Sequence, residues 1–189
     1  MKKLGIVFIV LLTSIQLSAQ DASLPIHIGY YAPYGINPGL KIGTGFEIRQ
    51  WENEKEQLRT LSWSPQIGFW SYRVYDNQIH QTLVADVTLD YRYYASSKKI
   101  YGLAAVGLGY HATLERSTLG VNLGTGEVTP TTITTHHFVP TATVGFGQDF
   151  NSSIGYYFKL FGGQRFNSTV GNDLFVGGEL GITYYFNKN

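Results

Sequence analysis

Apolar and polar residues alternate with a period of two along most of the chain from Pro25 onward, and this period predicts β-strands rather than helices. The alternation is clearest in residues 81–94, where a face of leucine, valine and tyrosine opposes a face that carries Asp86 and Asp90. Four further segments alternate clearly: residues 100–115, 138–149, 154–165 and 174–186. Three less regular strands lie at about residues 25–32, 39–51 and 59–75, and Pro65 in the last of them predicts a bulge or a break.

These segments add up to about eight strands, the even number that bacterial membrane barrels have. Their connections fall into two classes when the last strand is taken to end in the periplasm. The short turns at residues 52–58, 96–99 and 151–153 then share the periplasmic end. The connections at residues 33–38, 76–80, 117–136 and 167–172 lie outside, and the longest of all is among them. Both chain ends fall in the periplasm.

The apolar face of the strands predicts a wall that faces lipid. In water such a large outward apolar band would promote aggregation, whereas in a membrane it is expected. An aromatic girdle is predicted near the periplasmic rim, formed by Tyr91, Tyr93, Phe150, Tyr156, Tyr184 and Phe186. We therefore predict an all-β fold over residues 21–189: an eight-stranded, antiparallel, up-and-down (meander) transmembrane β-barrel.

Composition agrees with this prediction. Charged residues make up 14% of the chain and aromatic residues 15%, whereas soluble domains are about 25% charged. The chain has no cysteine, which excludes a disulfide framework, a thiolate metal site and a lipid-modified N-terminal cysteine. A net charge of +1 gives no reason to expect nucleic acid as a partner.

The N-terminus has the pattern of a secretory signal peptide. Lys2 and Lys3 precede an apolar run from Leu4 to Leu12, and small polar residues follow around Ala19. The alternative is an N-terminal membrane anchor, but the apolar run is shorter than the roughly 20 residues that a spanning helix needs. We predict a signal peptide at residues 1–20, export, and location in the cell outer membrane.

Glycine pairs and an aromatic last strand carry a family resemblance. The pairs are Gly43/Gly45, Gly107/Gly109 and Gly145/Gly147, and the last strand reads Gly-Ile-Thr-Tyr-Tyr-Phe over residues 181–186. With them the chain resembles the small meander barrels of the outer membrane, the family that includes the transmembrane domain of outer membrane protein A. The resemblance implies outer-membrane lipid and the barrel-assembly machinery as partners. It also implies that Ile182, Tyr184 and Phe186 form the assembly signal, here followed by three extra residues.

Charges of both signs are predicted to point into the lumen. The predicted lumen charge network comprises Lys41, Glu47, Arg49, Asp86, Asp90, Arg92, Asp149, Lys159, Arg165 and Glu179. Eight strands leave an interior that side chains just fill, and buried charges there must be paired or hydrated. One interpretation is a plugged polar lumen in a structural, envelope or surface protein without catalysis. The other is a narrow gated pore or conduit for small or hydrophobic molecules.

No catalytic, cofactor or metal site is predicted. His111, Thr113 and Glu115 share one face of a strand, but that follows from the alternation of any polar lumen face. Some barrels of this family modify lipid A, so this function stays a third alternative. His136 and His137 are adjacent and point to opposite faces of a strand, so they cannot chelate one metal together.

The segment from Leu119 to Thr135 predicts a projecting, threonine-rich hairpin whose tip lies around Gly124 and Gly126. Its flanking strands are expected to continue above the membrane. Two interpretations remain open: an ordinary solvated loop, or a site for a surface ligand.

Overall fold

The computed structural model describes residues 24–53, 56–74, 78–121, 124–150, 153–167 and 171–186. The predicted signal peptide at residues 1–20 lies outside these described residues. The strand segments are β1 (Leu24–Pro33), β2 (Gly39–Thr44), β3 (Phe46–Glu52), β4 (Leu58–Val74), β5 (Gln78–Tyr94), β6 (Ile100–Val121), β7 (Val128–Asp149), β8 (Ile154–Asn167) and β9 (Gly171–Phe186). The described residues include no helix that is both long and apolar enough to cross a membrane.

All strand pairs are antiparallel, and the sheet closes on itself. β1 pairs with β2 on one side and with β9 on the other, and β4 to β8 each pair with the next strand in sequence. β2 and β3 both pair with β4, so they are two halves of one strand, and the nine segments form eight barrel strands. The predicted eight-stranded meander barrel is confirmed.

The second barrel strand breaks at Gly45, opposite Pro65. The β2 pairing with β4 ends at Gly43 and Gln66, and the β3 pairing resumes at Phe46 and Trp63. Proline has no backbone N–H to donate, so the ladder is lost at this level. The bulge or break predicted for the Pro65 strand itself is wrong, because β4 keeps an uninterrupted register with β5 through Pro65.

Large apolar side chains cover the outer wall. On β6, Val106 is 62% exposed and Leu108 is 55% exposed, while the residues between and beside them point inward. Near one end of the barrel, the rings of Phe150 and Tyr156 lie 5.1 Å apart, and the rings of Tyr184 and Phe186 lie 4.7 Å apart. Such a continuous apolar wall with an aromatic rim suits a lipid bilayer.

The two ends of the barrel differ. The terminal end carries the start of β1, the end of β9 and the connections β3–β4, β5–β6 and β7–β8. The opposite, hairpin end carries the β6–β7 hairpin. β6 and β7 have 22 residues each, about twice the 9–11 residues that span a bilayer, so the hairpin projects well beyond the wall. Its tip needs glycine at position 126, where φ is +69°.

Candidate functional site in the barrel interior

An ionic cluster occupies the middle of the interior. The Nζ of Lys41 lies 2.8 Å from Oδ2 of Asp86 and 3.9 Å from Oε2 of Glu179. Lys159 Nζ lies 4.0 Å from Oε1 of Glu179, and the Tyr157 hydroxyl donates a hydrogen bond to the same oxygen at 2.6 Å. These side chains come from β2, β5, β8 and β9 and are all buried, so the cluster ties opposite walls of the barrel together.

The carboxylate of Asp90 is held by hydrogen bonds from hydroxyl groups. Ser64 Oγ donates to Oδ2 of Asp90 at 2.9 Å, and Thr88 Oγ1 donates to Oδ1 at 2.6 Å. The Asp90 side chain is 1% exposed, so these hydrogen bonds replace the water that the carboxylate loses. This arrangement fixes Asp90 in place and leaves little room for it to move.

A second polar layer lies toward the terminal end. The guanidinium of Arg92 sits 5.1 Å from the centre of the Tyr101 ring, and the Tyr185 hydroxyl donates to Oδ1 of Asp149 at 2.9 Å. Glu47 is exposed here and lines a vestibule of about 220 Å³ that opens at this end of the barrel. Arg92, which is buried, is one of the residues that line this vestibule.

An aromatic layer closes the interior on the hairpin side of the ionic cluster. The Tyr31 and Phe161 rings stack at 4.9 Å, and the Phe161 and Phe175 rings lie 5.4 Å apart. Trp70 is completely buried beside them. This layer was not predicted from the sequence, although the strict alternation places Trp70 and Phe175 on the inner face. The lumen is therefore plugged by apolar as well as polar side chains, not by polar ones alone.

The predicted charge network lies mostly inside the barrel, with one exception. Lys41, Asp86, Asp90, Arg92, Asp149, Lys159, Arg165 and Glu179 are buried in the interior, and Glu47 lies at its mouth. Arg165 approaches the hairpin end, where its Nη2 donates to Thr113 Oγ1 at 3.3 Å and its Nη1 lies 3.7 Å from Asp173. The network is thus spread over several layers.

Arg49 does not belong to the lumen, and its predicted inward orientation is wrong. The β3 register shifts by one residue between Glu47 and Arg49, so Ile48 forms a bulge. Arg49 then lies opposite Leu61, which is on the outer face, and its guanidinium lies 5.4 Å from the ring centre of Trp51. A one-residue bulge reverses the face of every following side chain, which strict alternation does not take into account.

His111, Thr113 and Glu115 point toward the interior but are held by different partners. His111 Nε2 lies 3.4 Å from Asp86 Oδ1 without hydrogen-bond geometry, and Thr113 shares a 2.9 Å hydrogen bond with Thr82. Glu115 accepts a hydrogen bond from Thr135 at 3.3 Å. No described hydrogen bond joins the three to one another, so they are not arranged as a nucleophile with its base.

The two adjacent histidines lie on opposite faces, as predicted from their position on a strand. His136 is exposed and its Nδ1 lies 2.7 Å from the Tyr110 hydroxyl, whereas His137 is buried toward the interior. Among the described residues, no three acidic or histidine side chains gather as ligands for a metal ion.

Ile182, Tyr184 and Phe186 project from the outer wall at the terminal end, with 55%, 44% and 46% exposure. They lie on the last strand of the barrel, which pairs with β1 to complete the closure. Their assignment as an assembly signal stays a prediction.

A cavity of about 30 Å³ remains beside the ionic cluster, lined by Lys41, Asp86, Asp90, Lys159 and Glu179 among others. That volume holds about one water molecule, or two at most. The interior between the vestibule and the aromatic layer is therefore filled by side chains.

The fold matches solved outer-membrane proteins, although no protein-family model and no curated protein sequence matches the chain. Neisserial surface protein A aligns with a TM-score of 0.58 at 7% identity over 87% of this chain and 96% of that one. The N-terminal barrel of Pseudomonas aeruginosa OprF gives 0.53 at 11% identity, over 87% of this chain and 97% of that one. A major outer membrane protein of Thermus thermophilus gives 0.51 at 12% identity, over 87% and 100%. The chain has the fold of small outer-membrane β-barrels, and its apolar outer wall agrees with that location.

Proposed function

We propose that this outer-membrane barrel has a structural role at the cell surface, with an interior that neither conducts nor catalyses. The observation that carries the proposal is the packing of the interior in successive layers. The second polar layer around Arg92, the ionic cluster and the aromatic layer follow one another along the barrel axis. The cavity beside the ionic cluster has a volume of only about 30 Å³. Water and solutes have no continuous path through such an interior.

The terminal end is proposed to face the periplasm and the hairpin end the outside. The predicted signal peptide would leave the N-terminus of an exported chain in the periplasm. The strands that extend furthest, β6 and β7 with 22 residues each, project at the hairpin end, and bacterial barrels carry their longer loops on the outer side. The long β6–β7 hairpin is then presented to the surroundings of the cell.

The purified barrel is expected to give no steady single-channel steps when it is reconstituted in planar lipid bilayers. The physical reason is the closed interior, because ions would have to pass both the ionic cluster and the buried ring of Phe175. Insertion is verified on the same samples by heat-modifiable migration in detergent gels. Uniform conductance steps from properly inserted protein would contradict the proposal.

A narrow gated pore is the second candidate, and the 220 Å³ vestibule at the terminal end favours it. A gate would require the Lys41–Asp86 pair and the aromatic layer to move apart. If conductance steps are seen, Asp86→Asn separates the two cases. A pore through the lumen changes its cation selectivity when this charge is removed, whereas a leak around the protein does not.

Overexpression of the barrel in its membrane is expected to leave the mass spectrum of lipid A unchanged. His111 and Thr113 are fully buried in the lumen, whereas an acyl chain of lipid A lies against the outer wall. A new lipid A species that disappears in the His111→Asn variant would contradict the non-catalytic proposal. Protein levels in the membrane serve as the control.

A further inference from the structure

Two arginines lie side by side on the outer wall near the terminal end. Arg49 of β3 lies opposite Leu61 of β4, and two residues further along each strand Trp51 lies opposite Arg59. Arg49 and Arg59 are therefore diagonal neighbours on the outer face, and we call them the arginine pair. Positions in this relation are about 7–8 Å apart, within reach of long side chains. One small group placed between the two guanidinium groups can contact both.

Aromatic rings hold the arginine pair at the level of the aromatic girdle. The Arg49 guanidinium lies 5.4 Å from the ring centre of Trp51, and the Arg59 guanidinium lies 5.6 Å from the ring centre of Tyr93. Such contacts attract the positive charge but do not satisfy the hydrogen-bond donors of the guanidinium. The Nε of Arg59 is buried and has no hydrogen-bond partner. The pair thus keeps donors for an acceptor from outside the protein.

Within the described part of the chain, no acidic side chain forms an ion pair with either arginine. Glu52, at the end of β3, is held by Lys98 at 2.6 Å instead. Like charges on neighbouring positions of a sheet repel each other, and the repulsion is stronger beside hydrocarbon than in water. An anion between the two guanidinium groups would remove this repulsion.

An apolar groove of about 440 Å³ lies on the outer wall beside the arginine pair, on the side toward the middle of the barrel. Ile48 at its edge directly precedes Arg49, and Trp63 is four residues beyond Arg59 along β4, about 13 Å at the rise of a strand. The groove reaches the middle of β6, so it covers the depth that an acyl chain occupies below its headgroup. We call it the wall groove, and its large apolar residues are Ile48, Trp63, Val87, Leu89, Val106 and Leu108.

We propose that the outer wall binds one anionic phospholipid of the periplasmic leaflet, with its phosphate at Arg49 and Arg59 and an acyl chain in the wall groove. The occupant is a lipid because the outer wall of this outer-membrane barrel faces the bilayer. The arginine pair selects negative charge, since phosphate oxygens accept charge-assisted hydrogen bonds from guanidinium groups. The choice of leaflet rests on the orientation given under the proposed function, but the site does not depend on the closed lumen.

Binding of single lipids to the folded barrel is measured by native mass spectrometry in a nonionic detergent. The probes are phosphatidylglycerol, which is anionic, and phosphatidylcholine, which has no net charge, both with the same two acyl chains. The expected result is a saturable one-to-one complex with phosphatidylglycerol and at least fivefold weaker binding of phosphatidylcholine. Equal binding of the two lipids would overturn the proposal, because the arginine pair would then not select the headgroup.

Charge-removing variants locate the headgroup on the protein. Arg49→Gln and Arg59→Gln are each expected to weaken phosphatidylglycerol binding at least fivefold and to leave phosphatidylcholine binding unchanged. The matched control is Lys99→Gln, which removes the same charge from an exposed lysine in the β5–β6 turn at the same end of the barrel. It is expected to leave both lipids bound as before. Heat-modifiable migration shows that each variant still forms the barrel.

Two further measurements test the acyl chain. Val106→Trp fills the wall groove with another apolar side chain and is expected to weaken phosphatidylglycerol binding at least threefold. Glycerol phosphate, a headgroup without acyl chains, is expected not to displace the bound lipid. The proposal is overturned if Val106→Trp binds like the unchanged barrel, if glycerol phosphate displaces the lipid, or if Lys99→Gln weakens binding as much as the arginine variants. Lipid binding in detergent depends on neither conductance nor orientation, so this proposal and the closed-barrel proposal fail separately.

Discussion

Replacing Lys41 by methionine is expected to lower the free energy of unfolding of the barrel by about 3–5 kcal/mol, the usual effect of removing one partner from a buried ion pair. Lys41 is the cation closest to Asp86, at 2.8 Å, and it also faces Glu179 at 3.9 Å. Methionine is unbranched and only one heavy atom shorter than lysine, but it leaves the two carboxylates without this charge. The measurement is reversible urea unfolding in lipid vesicles, followed by tryptophan fluorescence.

The exposed pair Lys98–Glu52 supplies the matched control. Its Nζ–Oε1 distance is 2.6 Å, even shorter than in the buried pair, but both side chains are about half exposed. The hydrogen bond to Glu52 raises the pKa of Lys98, so this small stabilisation is present at neutral pH and is lost only above the ordinary lysine range. Lys98→Met is expected to change stability far less than Lys41→Met, because water and salt screen the pair.

The double variant Lys41→Met with Asp86→Leu tests whether the loss of stability in Lys41→Met comes from the unpaired charge of Asp86. Replacing both partners of a buried ion pair by apolar residues costs much less than breaking the pair. The double variant is therefore expected to be more stable than Lys41→Met alone. Equal effects of Lys41→Met and Lys98→Met would show that the interior is hydrated and that the ionic cluster does not hold the walls together.

Local alternation was sufficient to predict which side of the wall most residues occupy. Leu83, Val87 and Leu89 face outward and Asp86 and Asp90 face inward, because a strand in a thin barrel wall has only two sides. Strand count and closure follow from the same pattern, since every strand needs a neighbour on both edges in a membrane.

The predictions from sequence fail where the geometry of a strand depends on the strands paired with it. Pro65 leaves its own strand regular and interrupts the strand opposite, and the bulge at Ile48 turns Arg49 outward. Neither effect is visible in the local sequence, because a bulge is a mismatch between two strands. The aromatic layer depends on which inward residues reach the same height, and that is set by the register around the whole barrel.

Introducing arginine at Val106 is expected to destabilise the barrel by about 2–4 kcal/mol, the cost of arginine on a lipid-facing wall at the bilayer midplane. Val106 is 62% exposed and lies midway along β6 between Gly102, which pairs with Tyr93 of the aromatic girdle, and Tyr110 near the hairpin end. The same urea titration in vesicles measures the effect.

Leu114→Arg is the depth control for Val106→Arg, because Leu114 has the same outward orientation but lies four residues beyond Tyr110, toward the hairpin end. A charge near the interface costs only about 0–1 kcal/mol, since the side chain can reach water. The difference in unfolding free energy between the two variants therefore measures the cost of placing arginine in hydrocarbon, and not the loss of an apolar side chain. If both arginines cost the same in vesicles, the outer wall does not lie in lipid, and the membrane-spanning orientation of the barrel is wrong.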